Sequence, residues 1–133
     1  LYKILSPYPE VKKVLTNLKE KKLKLSILSN GTPELLEDLV KSNNLNNLFD
    51  DLFSVEEVKI YKPNSKVYDL PIKKYKIKPE EIIFLSANTW DVSGGGNYGY
   101  NSVWVNRGKS HFDNLDYYPK NEIGNLTQLL DIV

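Results

Sequence analysis

The chain has 133 residues, with Lys+Arg 18 against Asp+Glu 17, a formal net charge of +1, one His and no Cys. That length predicts one domain with room for a real core, and the near-neutral balance gives no nucleic-acid footprint. The missing cysteines exclude a disulfide framework, a thiolate metal site and a Cys nucleophile, and a single histidine excludes a multi-His metal site within the chain.

The elements follow in chain order. Pro9 to Lys21 reads as a helix, with Val11, Val14, Leu15 and Leu18 at helical spacing. Lys19, Lys21, Lys22 and Lys24 then form a solvated helix end running into the strand Leu23 to Leu28. Thr32 is placed to cap a second helix that Pro33 and Glu34 open, with Leu35, Leu36, Leu39 and Val40 as its apolar face and Asn43 to Asn47 as its exit. Asp51 to Val55 is a short strand. Asn64 to about Lys76 has a helical pattern, and Pro71 in its middle predicts a kink or a split. Glu80 and Glu81 precede the strand Ile82 to Leu85; Ser102 to Val105 is another strand, Asn106-Arg107-Gly108 a turn, and Leu126 to Leu130 a last short helix. This alternation is that of a doubly wound α/β domain with a parallel sheet.

In such a sheet, residues just past the carboxyl ends of strands line the ligand crevice. Ser29-Asn30-Gly31 lies there, before a helix N-terminus whose free amides favour an anion; a plain N-capping turn is the alternative. Tyr61-Lys62-Pro63 offers a lysine that can hold a carboxylate ionised and in position, or is a surface lysine. Ser86 through Asp91 follows the clearest strand; Asp91 suits a helix N-terminus as a cap, and Trp90 suits packing. Gly94 to Gly99 contains GxGxxG, but without a strand directly before it and a long helix after it, so a glycine-rich turn packed tightly on the sheet is expected rather than a dinucleotide site. His111 stands alone and reads as a loop histidine.

Together, in their order and spacing, these segments resemble the haloacid dehalogenase superfamily, and within it the (S)-2-haloacid dehalogenases. The stretches "ILSNGTPELLEDLVKSNNLNNLFDDLFSVEEVKIYKPNSKVYDL" and "IKPEEIIFLSANTWDVSGGGNYGYNSVWVNR" carry the likeness, as does the closing "EIGNLTQLL". The resemblance implies an α/β, Rossmann-like three-layer core with a parallel sheet. It implies a substrate carboxylate on Ser29, a departing halide on Asn30, and Lys62 paired with a nucleophilic aspartate. Asp91 would orient Lys62 and Ser86, with Tyr68, Ser86 and Asn88 completing the polar shell and Trp90 joining the substrate-binding set.

Superfamily phosphatases resemble Gly-Asp-x-x-x-Asp or Gly-Asp-Ser-x-x-Asp at this loop, both acids serving Mg²⁺. Here Ala87 replaces the first acid, and an alanine side chain offers no oxygen to a hard cation. The implied activity is therefore hydrolytic dehalogenation of a short 2-haloacid through an aspartyl ester, with no metal and no organic cofactor. The alternatives are a Mg²⁺-dependent phosphatase acting on a small phosphoester and a non-catalytic module.

The likeness also implies residues that these 133 lack: an aspartate in an Asp-x-Tyr-Gly-Thr-like motif on a central first strand, and the arginine and helical cap that shape the pocket. With no Met and with Leu1 first, a piece of a longer chain is expected, inactive alone. In the implied strand order 5-4-1-2-3, strands at Leu23 to Leu28 and Ile82 to Leu85 would flank an empty slot. A marginal fold, association into a homodimer, or direct pairing of these two strands is expected. No signal peptide and no membrane-length apolar run are evident, so a cytoplasmic protein acting on a small molecule, without nucleic-acid or membrane partners, is expected.

Overall fold

The computed structural model describes residues 9–109, 111–112 and 119–133. The chain divides into two compact units, Leu1–Lys59 with Val133, and Ile60–Ile132.

In the first unit, α1 spans Val11–Glu20, β1 Ser26–Ser29, α2 Pro33–Ser42 and β2 Asp51–Ser54, with a 3-10 turn over Val55–Glu57. α1 buries Val14, Leu15 and Leu18, the apolar stripe read from its spacing. α2 begins where its sequence says: the Thr32 side chain accepts from the Leu35 N–H at 3.2 Å, and Pro33 takes a first-turn position where no N–H is needed. Leu36 and Val40 are its buried residues, while Leu35 and Leu39 are half-buried. β1 and β2 pair in parallel, Ser26 with Asp51 through Ser29 with Ser54.

The first strand is shifted from the expected Leu23 to Leu28. Lys22 takes a positive φ of 63°, and Leu23 to Leu25 lie outside the strand, which instead runs on through Ser29. The Asp50 carboxylate fixes this entry: it accepts from the Leu25 N–H at 2.8 Å and pairs with Lys19 at 2.8 Å. Those two contacts, Lys19 foremost, hold the Asp50 pKa below the usual carboxylate range.

In the second unit, α3 spans Ser65–Tyr75, β3 Ile83–Ser86, α4 Thr89–Tyr98, β4 Asn101–Val105 and β5 Asn121–Ile123, with 3-10 turns over Pro79–Glu81 and Leu126–Asp131. β3, β4 and β5 form one parallel sheet in that order. Its buried residues include Val67, Tyr68, Val92, Tyr100, Val103, Trp104 and Ile123. α4 packs on β3 and β4, and α3 packs on α4.

Two expectations are corrected here. Pro71 does not split its helix: α3 runs through it as one element, with Pro71 buried, so packing outweighs the missing N–H. The glycine run is not a turn but the interior of α4. Each helical glycine costs about 1 kcal/mol against alanine, and contact explains why the cost is accepted. A Cβ on Gly95 would stand 2.6 Å from Phe84 Cδ2 and 3.2 Å from Ser102 Oγ, so only a bare α-carbon lets α4 lie this close to the sheet. Gly99, at φ 126°, then ends the helix in a conformation that favours glycine. β5 escaped the sequence reading because it is three residues long with one buried apolar side chain, Ile123. The expected last short helix is present as a 3-10 helix over Leu126–Asp131, one residue longer than read.

Among the described residues β1 pairs with β2 alone and β3 with β4 alone, so each is an edge of its own sheet. The direct pairing expected between the Leu23 to Leu28 and Ile82 to Leu85 runs is not among these ladders.

Candidate active site

Three strands end in the same device. β1 ends at Ser29, β2 at Ser54 and β3 at Ser86. Each hydroxyl accepts from the N–H two residues on: Ser29 from Gly31 at 3.0 Å, Ser54 from Glu56 at 3.2 Å, Ser86 from Asn88 at 3.1 Å. Such a bond turns the chain sharply at the strand's carboxyl end, and the accepting hydroxyl keeps its own proton to donate.

In the first unit, Ser54 gives its proton to the Gly31 carbonyl at 2.7 Å, which ties down the loop after β1. Ser29-Asn30-Gly31 thus forms a plain turn, while Thr32 caps α2; Ser29 is half-buried and Asn30 exposed at the strand end.

The second unit holds the most strongly determined cluster. Lys62 Nζ lies 3.0 Å from Asp91 Oδ2, with the two side chains only 8% and 6% exposed. The Tyr68 hydroxyl donates to Asp91 Oδ1 at 2.7 Å, and Tyr68 is fully buried. Both oxygens of Asp91 are therefore engaged, one by a cation and one by a phenol. Asp91 sits in the first turn of α4, but its carboxylate faces these partners and does not cap the helix. Lys62 also stands 5.3 Å from the Phe84 ring centroid, which adds a cation–π contact. The surface alternative for Lys62 fails on burial, and the cap alternative for Asp91 fails on its partners.

Burial, and then the hydrogen bond to Asp91, push the Tyr68 phenol far above its ordinary pKa. Its neighbours share that environment. Tyr100 donates its hydroxyl to the Tyr68 carbonyl, and Tyr98 donates to Asp69. Burial pushes Tyr100 upward as well, and burial with the Asp69 bond pushes Tyr98 up to about 12. The rings of Phe84, Tyr98 and Tyr100 each lie 5.8 Å from that of Tyr68.

Asn88 is the N-cap residue of α4, exposed, and its side chain makes no capping bond. Ala87 is exposed, and its carbonyl accepts from Trp104 Nε1 at 3.2 Å. Trp90, 44% exposed, lines a surface pocket of about 460 Å³ with Pro63, Tyr68, Gly94 and Tyr98. His111 is exposed. Among the described residues no three His, Cys, Asp or Glu side chains gather as a metal site, and no helix is long and apolar enough to cross a membrane. The tyrosine cage and Asp69 were missed in the sequence reading; the signal available was Tyr98 and Tyr100 flanking the terminal Gly99 of the glycine run.

Parallel strands alternating with helices, with Ser29, Ser54 and Ser86 closing strands, define an α/β protein of the doubly wound kind. Residues 2–105 match the family described as haloacid dehalogenase-like hydrolase, and the chain belongs to that family. It is 38% identical over 128 residues to an (S)-2-haloacid dehalogenase of Pseudomonas putida, covering 96% of this chain and 56% of that one. It is 39% identical over 118 residues to haloacetate dehalogenase H-2 of Moraxella sp. (strain B), covering 89% and 53%. The solved L-2-haloacid dehalogenase of Xanthobacter autotrophicus superposes with a TM-score of 0.93 at 27% identity over 98% of this chain and 62% of that one. A second structure of it, with chloropropionic acid covalently bound, matches at a TM-score of 0.89 and 28% identity, with the same coverage. The chain thus spans about half the length of the curated relatives it matches.

Proposed function

We propose that this chain is part of one hydrolase core that removes halide from short 2-haloacids without a metal. One observation carries the proposal: both oxygens of Asp91 are taken by Lys62 and Tyr68, next to a loop in which Ala87 stands where a second acid would serve a cation. A carboxylate so engaged is a poor ligand for Mg²⁺, which demands its own near-octahedral oxygen shell. It is well suited to hold a lysine rigidly as a fixed positive charge.

That charge would keep a nucleophilic aspartate ionised. A carboxylate oxygen of this aspartate attacks the halogen-bearing carbon; the C–O bond forms as the C–halogen bond breaks, and the halide leaves with the electron pair. Water then attacks the ester carbonyl, releasing a 2-hydroxyacid of inverted configuration and a proton, and restoring the aspartate. Ser29 would hold the substrate carboxylate and Asn30 the departing halide. Ser86 and Asn88 would complete the polar shell, and Trp90 would face the alkyl part of the substrate. The aspartate of an Asp-x-Tyr-Gly-Thr-like motif is not among these 133 residues, so the chain alone is expected not to turn over.

The test is chloride release from (S)-2-chloropropionate in EDTA, using the protein carrying this chain together with such an aspartate-bearing strand. Release is expected, and Lys62→Ala or Asp91→Asn is expected to abolish it in samples shown folded by circular dichroism. No chloride release, with phosphate release from a small phosphoester once Mg²⁺ replaces EDTA, would assign a phosphatase instead. Inactivity in both assays would leave a non-catalytic module.

A further inference from the structure

We propose that Gly94 is a positioning residue: its bare α-carbon lets the Tyr68 hydroxyl reach Asp91, and so fixes the carboxylate that holds Lys62. Gly94 lies three residues after Asp91 on α4, and residues at that spacing share a helix face. A Cβ built on it would stand 2.6 Å from Tyr68 Oη, 3.3 Å from Tyr68 Cζ and 3.0 Å from Pro63 Cβ. The first distance is one that real Cβ atoms essentially never show. The added methyl would push on the tyrosine and on Pro63, the residue next to Lys62.

The tyrosine has little room to retreat. It is fully buried, the rings of Phe84, Tyr98 and Tyr100 surround it, and the Tyr100 hydroxyl anchors its backbone carbonyl. The clash falls at the hydroxyl end, the atom that donates to Asp91 Oδ1. The glycine run thus has a role that neither a dinucleotide loop nor a tight turn would give it.

The activity arm of the test rests on the dehalogenase reading; the spectroscopic arm does not. By proton NMR, the buried Tyr68 hydroxyl should give a slowly exchanging resonance, assigned by its loss in Tyr68→Phe. Gly94→Ala should remove that resonance or shift it upfield, and in the protein that also carries the aspartate-bearing strand it should lower kcat/KM about tenfold or more. In the Tyr68→Phe background the same glycine change should cost about twofold or less, because the atom it displaces is gone. Should Gly94→Ala fail to fold, the Gly94→Ala/Tyr68→Phe protein is expected to recover folding.

An unmoved hydroxyl resonance, its absence from the unaltered protein, equal losses in both backgrounds, or a double variant no better folded than the single would each overturn the proposal. A shifted resonance with no haloacid turnover by any variant would support Gly94 and reject the dehalogenase.

Discussion

At the residue scale, the buried Lys62–Asp91 pair organises the second unit. Taking two charges out of water is costly, and removing one partner of such a pair typically costs about 3–5 kcal/mol because the other charge is left uncompensated. The Tyr68 bond to Oδ1 satisfies the remaining acceptor, which makes the burial tolerable. Through the same cage, stability falls as pH rises in the alkaline range. Tyr98 is pushed up to about 12 in the fold from an ordinary 10.0, by burial and by its bond to Asp69. Between those values the unfolded chain has lost the proton and the folded chain has not, so the unfolded state binds fewer protons and stability falls as pH rises. The contribution of Tyr98 is complete below pH 10 and is lost as pH climbs toward its folded value. Urea titrations of the Tyr98→Phe protein from pH 9 to about 12 should show a shallower decline than the unaltered protein; parallel slopes would contradict this role.

At the element scale, legibility followed how local the determinant is. α2 could be read because everything that starts it lies within three residues: the Thr32 cap, Pro33, and Glu34 in the first turn. α1 could be read from the burial stripe of Val14, Leu15 and Leu18. A helix start at Asp91 could be read, but not that α4 runs on through Gly94 to Gly96, because three glycines in succession contradict helical propensity and its apolar residues show no clear stripe. Its reason for being a helix is long-range, in the close approach to Phe84, Ser102 and Tyr68. β5 has too few residues to carry a pattern. The site showed the same division. The residue types Ser29, Ser86 and Asp91 could be picked out just past strands and Lys62 in the extended stretch before a helix, whereas the cage of Tyr98, Tyr100 and Asp69 around Tyr68 depends on which face of α3 meets α4. A prediction separates propensity from packing at Gly95. By propensity alone, Gly95→Ala gains about 1 kcal/mol. With the new methyl 2.6 Å from the Phe84 ring carbon, it is expected instead to destabilise by about 1–3 kcal/mol in chemical denaturation. A stabilised variant would show that α4 can lift from the sheet at no cost.

At the scale of the whole molecule, the family match runs across both units, from residue 2 to 105, and the chain covers 56% of its Pseudomonas putida relative. β1 and β3, whose ends carry Ser29 and Ser86, are both sheet edges among the described residues. Edge strands expose backbone donors and acceptors that favour further pairing, and in the proposed enzyme a strand bearing the nucleophilic aspartate would supply it. In the proposed enzyme Lys62, fixed by Asp91 and Tyr68, serves a carboxylate that becomes esterified during turnover. The most direct test is intact-protein mass spectrometry of the aspartate-bearing protein, acid-quenched during turnover of (S)-2-chloropropionate in EDTA. A transient species heavier by one propionate ester, carried on an aspartate and absent from the Lys62→Ala protein, is the result expected. Continuous chloride release with the protein mass unchanged at every time point would rule out the ester route, because the halide would then be leaving without an ester.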